Sequence, residues 1–324
     1  MSWDLQVGEL RTPYLTHTQI WQATHRFFYN GKTTTTYKYG FMKALLESLA
    51  TASDDYTISF DAIFASFTRT YWNLVMHHGL RQSNSANARS AVEKTIEAFA
   101  QKHAIPSDWN FDAIAATKQL ELIQLVKKVG KKYVVGATYS DFGGDIYAFN
   151  LKDETLTLHQ EYYIFFQTHK RMLVNITNYQ LALFLEKFND AEKITRLLSK
   201  VEIVSQRQSL AQFAQLLYAT GMHNCFYCGK SLHKSHVDHF IPWSYMQSDD
   251  LWNFVLACVS CNTKKSNKIA AERFLYALLE RNDTLLHHEQ YAPQFAHYSE
   301  QKLVDLYQYS QLNGFPDNWS PQLS

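Results

Sequence analysis

The sequence predicts a mainly α protein that carries one small α+β domain toward its C-terminal end. Through most of the chain, apolar residues recur at three- and four-residue spacing, as they do along one face of a helix. The stretch 132–159 instead shows alternating apolar residues and turn signals. All four cysteines lie between residues 225 and 261. Together these observations predict a helical N-terminal region that contains a short β-hairpin or small sheet, followed by a compact cysteine-bearing domain.

The helical pattern appears first in the N-terminal part and returns after the predicted strands. The predicted helices are 19–30, 37–50, 60–78, 87–103, 160–186, 191–200, 206–220, 272–281 and 302–312. Between them, KYVVGATY, DIYAFNL and TLTLHQ predict short strands, because each is rich in β-branched or aromatic residues and is bounded by turn signals.

Chain length and the change of pattern predict three parts. At 324 residues, the chain is long enough for more than one hydrophobic core. Residues 1–205 are expected to form a mostly helical domain for recognition or partner docking. Residues 206–281 form the cysteine-bearing domain, and residues 282–324 a C-terminal helical extension. No internal repeat or linker marks the boundary near residue 205.

Charge and hydropathy restrict the function classes. The formal net charge is +1, which disfavours a large non-specific DNA-binding surface but is compatible with a local cationic groove. No apolar run approaches the roughly 20 residues that a membrane-spanning helix needs. The first residues, MSWDLQVGELRTP, lack the charged-then-apolar order of a secretory signal. We therefore expect a soluble, cytoplasmic protein without membrane partners.

The cysteines follow the pattern C-x₂-C, 29 residues, C-x₂-C, and are Cys225, Cys228, Cys258 and Cys261. Each C-x₂-C pair places two thiolates on one tight turn, and two such turns complete the tetrahedral set that zinc prefers. Since four protein ligands close the site, the zinc is expected to be structural. A thioredoxin-like redox pair and inert thiols are the alternatives.

The stretch KSHVDHFIPWS between the two pairs poses a geometric problem. Asp238 and His239 are neighbours, and a regular strand points neighbouring side chains to opposite faces. If both act on one ligand, the strand must bend or end at residues 239–241. Pro242 favours this because it cannot donate to a strand ladder.

In order, residues 225–268 contain CFYC, HVDHFIP, Asn253 and LACVSCNTKK. This order resembles the HNH endonuclease family in its zinc-bearing, ββα-metal form. HVDHFIP with Asn253 and Asn262 is especially similar to the HNH domain of RNA-guided CRISPR effectors, although nothing else in the chain supports such an effector. YKYGFMKALLESL and TYWNL are weakly similar to N-terminal regions of bacterial HNH restriction and anti-phage defence proteins.

The resemblance implies a role for each matched residue. His239 would be the general base, Asp238 and Asn262 would hold one Mg²⁺ or Mn²⁺, Asn253 would brace the loop that carries His239, and Lys265 would contact a phosphate. The chemistry is compatible, since imidazole accepts a proton near neutral pH. Carboxylate and amide oxygens are hard ligands that suit these cations.

Each of these residues also has a structural interpretation. Asp238 and His239 could be a surface pair, and Asn262 a helix cap. Lys265 could be a solvated lysine and Asn253 a turn residue. His236, on the same strand face as Asp238, could be a further metal or phosphate contact or an exposed strand residue.

The resemblance therefore implies a metal-dependent DNA endonuclease acting in bacterial restriction or anti-phage defence. Double-stranded DNA is the expected substrate. A second copy of the chain or the ATPase subunit of a defence system are the expected protein partners. The alternative is a non-catalytic, zinc-stabilised module that binds nucleic acid or a partner.

Two further patterns have competing interpretations. The lysines in KKVGKKY form either a phosphate-contacting edge or the solvated C-terminus of a helix that Gly130 ends. The aromatic stretch 162–169 is either a base-stacking surface or a buried helix.

Overall fold

The computed structural model describes residues 5–30, 33–85, 89–202 and 210–322. The chain forms two compact units, one of Met1–Phe166 and Lys170–Gln206, the other of Gln167–His169 and Arg207–Ser324. The described residues are mainly helical with small antiparallel sheets, which confirms the predicted fold class. No helix within these ranges is both long enough and apolar enough to cross a bilayer.

The first unit combines helices with one four-stranded antiparallel sheet of strand order β1-β3-β4-β2. Its strands are β1 (Val7–Gly8), β2 (Thr57–Ser59), β3 (Tyr147–Asn150) and β4 (Thr155–Leu158). Its helices are α1 (His17–Tyr29), α2 (Tyr37–Glu47), α3 (Phe60–Trp72), α4 (Ala91–Lys102), α5 (Ala116–Asp141), α6 (Gln160–Phe188), α7 (Ala191–Ile194) and α8 (Leu197–Glu202).

The hairpin formed by β3 and β4 follows the predicted alternation. Tyr147 and Phe149 on β3 and Leu156 and Leu158 on β4 are buried, while the residues between them are partly exposed. One face of the hairpin therefore belongs to the hydrophobic core. β1 and β2 were not predicted, because two or three residues are too few to show a period.

The predicted strand at KYVVGATY is wrong, because α5 continues through these residues to Asp141. Val134 and Val135 are buried in the core on this helix, so tertiary packing overrides their preference for strands. Gly130 does not end the helix either. A Cβ atom there would lie 2.9 Å from a ring carbon of Phe64 on α3, so the glycine permits close helix packing.

Neither interpretation of the lysine cluster holds for two of its members. The Lys127 ammonium is buried and lies 2.7 Å from an Asp61 carboxylate oxygen and 2.5 Å from one of Glu154. Lys131 lies 2.6 Å from the other Glu154 oxygen. These lysines join α5 to the strands and to α3, whereas Lys128 is exposed. The aromatic stretch 162–169 lies on α6, and Phe166 is fully buried, which agrees with the interpretation as a buried helix and not with a base-stacking surface.

The second unit contains a two-stranded antiparallel sheet followed by a helix, the ββα order. Its elements are α9 (Ala211–Ala219), β5 (Ser235–His239), α10 (Trp243–Met246), β6 (Phe254–Cys258), α11 (Val259–Lys265), α12 (Glu272–Leu286) and α13 (Glu300–Leu312). In the register, Ser235 pairs with Cys258 and His239 pairs with Phe254. β5 thus ends at His239, within the predicted span.

The C-terminal residues pack within this second unit. α12 runs through the predicted boundary at residue 281 without a break. Asn282 donates its side-chain N–H to the Trp252 carbonyl at 2.9 Å, and the Tyr307 hydroxyl donates to the Ala270 carbonyl at 2.8 Å. Residues 282–322 therefore contact both the segment that leads into β6 and the segment that follows α11.

Candidate active site

The four cysteines form one cluster in which every sulfur lies within 4.8 Å of the others. Cys225 and Cys228 lie on the turn before β5. Cys258 ends β6 and caps α11, where its sulfur accepts the Cys261 N–H at 3.4 Å. Four thiol sulfurs that converge from two turns match the tetrahedral set of a structural zinc, and a single four-sulfur cluster favours this over a redox pair. All four are free cysteines.

A residue within the first cysteine turn contacts Asp238 directly. The Tyr227 hydroxyl donates to Asp238 Oδ2 at 2.6 Å, and both side chains are buried. Burial raises the pKa of Tyr227 well above its usual value, and the nearby Asp238 carboxylate raises it further. The phenol therefore remains a hydrogen-bond donor, and the cysteine turn and strand β5 are joined at the candidate metal ligand.

Lys265, at the end of α11, also holds Asp238. Its ammonium is fully buried, lies 3.0 Å from Asp238 Oδ2 and donates to the His239 carbonyl at 2.7 Å. Burial lowers the pKa of Lys265, and the Asp238 carboxylate opposes that shift. This placement does not support the phosphate contact predicted for Lys265, nor the solvated lysine that was its alternative. Lys265 instead ties α11 to the end of β5.

His239 is paired with a residue that the sequence did not single out. Its Nε2 lies 2.8 Å from Asp249 Oδ1, and its ring meets the edge of Phe254 with centroids 4.6 Å apart. Asp249 belongs to the run SDD before β6, which reads as an ordinary polar turn. No spacing rule would have selected it, because its partner lies ten positions away on another element.

Both polar atoms of the Asn253 side chain form hydrogen bonds to the segment that follows His239. Oδ1 accepts the Ile241 N–H at 2.9 Å, and Nδ2 donates to the Ile241 carbonyl at 3.0 Å. The Asn253 carbonyl accepts the Phe240 N–H at 2.8 Å. The side chain is fully buried. This geometry fits the brace that the resemblance implies.

Asn262 lies on α11 and is oriented by His236. Its Nδ2 lies 3.0 Å from His236 Nδ1, so the amide donates to the ring and Oδ1 becomes the atom available to a cation. His236 is therefore a partner of the candidate ligand, which neither of its predicted interpretations anticipated.

Asp238, His239 and Asn262 line one cavity of about 250 Å³. Its remaining described lining comes from Leu210, Val237, Pro242, Trp243, Thr263, Ser266 and Asn267, and none of these is a cysteine. The adjacent Asp238 and His239 can share this cavity because β5 ends at His239. Tyr227 and Lys265 both contact Asp238 Oδ2, so Oδ1 is the carboxylate oxygen that remains for a cation. A carboxylate oxygen and an amide oxygen both suit a hard divalent cation.

Comparison with known proteins identifies this segment. Residues 225–268 match the family model described as HNH endonuclease, which covers about one seventh of the chain. No curated protein and no solved structure gives a match to the chain. The matched residues include all four cysteines together with Asp238, His239, Asn253, Asn262 and Lys265. Residues 225–268 are therefore an HNH segment that carries a four-cysteine cluster suited to structural zinc.

Proposed function

We propose that the protein is a metal-dependent HNH endonuclease that hydrolyses DNA phosphodiester bonds. The observation that carries this proposal is the shared cavity of Asp238, His239 and Asn262. It brings together an imidazole and two oxygen ligands, the groups that phosphodiester hydrolysis with one cation requires. The HNH match over residues 225–268 supports the same chemistry.

In this mechanism, Asp238 Oδ1 and Asn262 Oδ1 would hold one Mg²⁺ or Mn²⁺, which supplies charge neutralisation at the scissile phosphate and the leaving oxygen. His239 takes a proton from water, and the resulting hydroxide attacks phosphorus as the bond to the 3′-oxygen breaks. The leaving 3′-oxygen takes up a proton from solvent water. The products are a 5′-phosphate and a 3′-hydroxyl. Asn253 keeps the backbone after His239 in place through its two bonds to Ile241.

The biological setting we propose is bacterial restriction or anti-phage defence, with double-stranded DNA as substrate. The first unit would recognise the DNA site or dock a partner, either a second copy or a defence ATPase. The support is the weak resemblance of residues 37–49 and 70–74. Most of these residues, among them Phe41, Leu45 and Trp72, are buried in the core. The resemblance thus concerns the core of the unit.

The test is cleavage by the purified full-length protein. Supercoiled plasmid, linear duplex, single-stranded DNA and RNA are incubated with Mg²⁺, Mn²⁺ or EDTA. His239→Ala should cut duplex DNA about 10²–10⁴ times more slowly, with zinc content unchanged. His287→Ala is the matched control, because this histidine is exposed on the solvent side at the end of α12. Undiminished cutting by His239→Ala would contradict the proposal.

A non-catalytic nucleic-acid or partner-binding module is the second candidate, and one observation favours it. Of the described residues that line the cavity, Asp238 is the only carboxylate, and the Lys265 ammonium already neutralises it. Such a module would retain DNA in a gel-shift assay and would cut none of the four substrates with either cation. The two candidates are therefore separated by the same set of incubations.

A further inference from the structure

We propose that Asp249 is the positioning residue for the general base, a role that rests on the proposed endonuclease function. Its carboxylate fixes the protonated nitrogen of His239 and stabilises the imidazolium that forms when His239 takes the proton from water. Asp249 does not line the cavity and would act only through His239.

The pair geometry is that of a strong hydrogen bond. Nε2 of His239 and Oδ1 of Asp249 are 2.8 Å apart. The His239 side chain is 8% exposed and that of Asp249 is 33% exposed, so the bond is partly shielded from water. An ionised carboxylate only accepts hydrogen bonds, so Nε2 must carry the hydrogen. Nδ1 then keeps its lone pair, and it is the nitrogen that can accept a proton from water.

The proton balance follows from this tautomer. The water proton moves to Nδ1, the Nε2 hydrogen stays on the ring, and the imidazolium forms beside the Asp249 carboxylate. Asp249 is not protonated in the step, and its negative charge offsets the new positive charge at a distance of one hydrogen bond. Without Asp249, the ring could rotate or carry its hydrogen on Nδ1, and either change would remove the acceptor.

The loop that bears Asp249 is held on both sides. Ser248 donates to the Asp250 carboxylate at 2.6 Å, and the Asp250 carbonyl accepts the Asn253 N–H at 2.9 Å. Trp252 is buried, and its carbonyl accepts a hydrogen bond from the Asn282 side-chain N–H. The segment 249–253 therefore supplies two fixed supports, Asp249 for the imidazole and Asn253 for the backbone that follows it.

The experiment compares Asp249→Ala, Asp249→Asn and Asp249→Glu in the full-length protein. We expect the single-turnover cleavage rate of Asp249→Ala to fall about 10²-fold. Asp249→Asn keeps the shape but can offer an N–H to the ring, which favours the wrong tautomer, so it should be at least as slow. Asp249→Glu should recover part of the rate. The DNA affinity measured with Ca²⁺, the zinc content and the melting temperature should stay at wild-type values.

A direct readout uses protein labelled with ¹⁵N-histidine. The long-range ¹H–¹⁵N spectrum should show His239 protonated at Nε2 in the wild type, assigned by the loss of its signals in His239→Gln, and a changed pattern in Asp249→Ala. Asp283→Ala is the control, because Asp283 faces exposed His287 at 3.8 Å on α12. If wild type cuts, His239→Ala does not, and Asp249→Ala cuts at the wild-type rate, the inference is overturned while the proposed function stands. If wild type cuts no substrate, both are overturned.

Discussion

The Tyr227 hydroxyl donates to Asp238 Oδ2 at 2.6 Å, so a residue inside the first cysteine turn is bonded directly to the candidate cation ligand. The two sites are chemically separate, yet one hydrogen bond links them. Lys265 supplies a second donor to the same oxygen at 3.0 Å. Together they determine which oxygen of Asp238 is left for the cavity. In the proposed endonuclease, the four-cysteine cluster would thereby influence catalysis without contacting substrate.

Tyr227→Phe tests this link. The substitution keeps the ring and removes the donor to a buried carboxylate, which is expected to cost about 1.5–3 kcal/mol in the free energy of unfolding. The Mn²⁺ concentration for half-maximal cleavage should rise, because Oδ2 is then held by Lys265 alone. Urea unfolding and a Mn²⁺ titration measure the two effects. Tyr276→Phe is the control, since its hydroxyl bonds Glu272 at 2.9 Å on the exposed surface. If Tyr227→Phe and Tyr276→Phe had the same unfolding free energy and the same Mn²⁺ requirement, the hydrogen bond from Tyr227 to Asp238 would contribute to neither.

Removal of zinc should unfold the second unit selectively. We expect one zinc per chain in the purified protein, and Cys228→Ser should lower that content and abolish the calorimetric transition of residues 210–322. The cluster joins the turn before β5 to the start of α11, and without the metal four thiols remain crowded together with nothing to hold these two segments at the cluster. The transition of the first unit should persist, because all four cysteines lie outside it. Retention of both transitions after zinc removal would contradict a structural role.

Lys265→Met should lower the stability of the second unit by about 3–5 kcal/mol, because it leaves the buried Asp238 carboxylate without its ammonium partner. The neighbouring Lys264 is exposed, and Lys264→Met is therefore the matched control. Fluorescence-detected unfolding measures the stability. The salt dependence of DNA affinity should be unchanged in Lys265→Met. If the slope of log affinity against log salt concentration became smaller by about one in Lys265→Met, that result would show that Lys265 contacts a phosphate.

Lys170 gives the first unit a defined pH dependence. Burial lowers the pKa of this lysine from 10.5 to about 7 in the folded protein, and the Glu47 carboxylate opposes the shift. As the pH falls through 10.5, the unfolded chain takes up the proton before the folded protein does, so stability decreases down to about pH 7 and is constant below it. Stability contributed by Lys170 thus rises with pH between these values.

Lys170→Met should remove that part of the pH dependence and raise the melting temperature most at neutral pH. Melting curves of the two proteins at pH 7 and pH 10 provide the measurement. The difference in melting temperature between the two proteins is expected to be larger at pH 7 than at pH 10. An equal difference at both pH values would contradict the lowered pKa of Lys170. Lys128→Met on exposed α5 surface is the control.

The chemistry-bearing residues of the second unit could be found from the sequence because their signals are local. The spacing of Cys225, Cys228, Cys258 and Cys261 is set by how two thiolates fit on one turn. The adjacency of Asp238 and His239 demanded a strand end, and β5 ends at His239. The hairpin at residues 147–158 was found because alternation over four residues is a readable period.

The errors came from residues whose state depends on distant packing. Val134 and Val135 have strand preference, but they lie on the buried face of α5. Gly130 looked like a helix end, although it is the point where α5 meets Phe64 of α3. Helix and strand preferences inferred from one sequence cannot detect a packing neighbour that lies more than sixty positions away along the chain.

The sequence by itself determined the four-cysteine set and the mainly α class, because spacing and periodicity are properties of the covalent chain. The order of its motifs also carries the HNH resemblance, which implies roles for Asp238, His239 and Asn262. Only the tertiary structure decided how those residues are supported. Lys265 is 26 positions from the His239 carbonyl it holds, and Asp249 is ten from its imidazole. Such partners become neighbours only when burial of the core brings their elements together. Their charges and tautomers interact strongly only in that partly dehydrated environment.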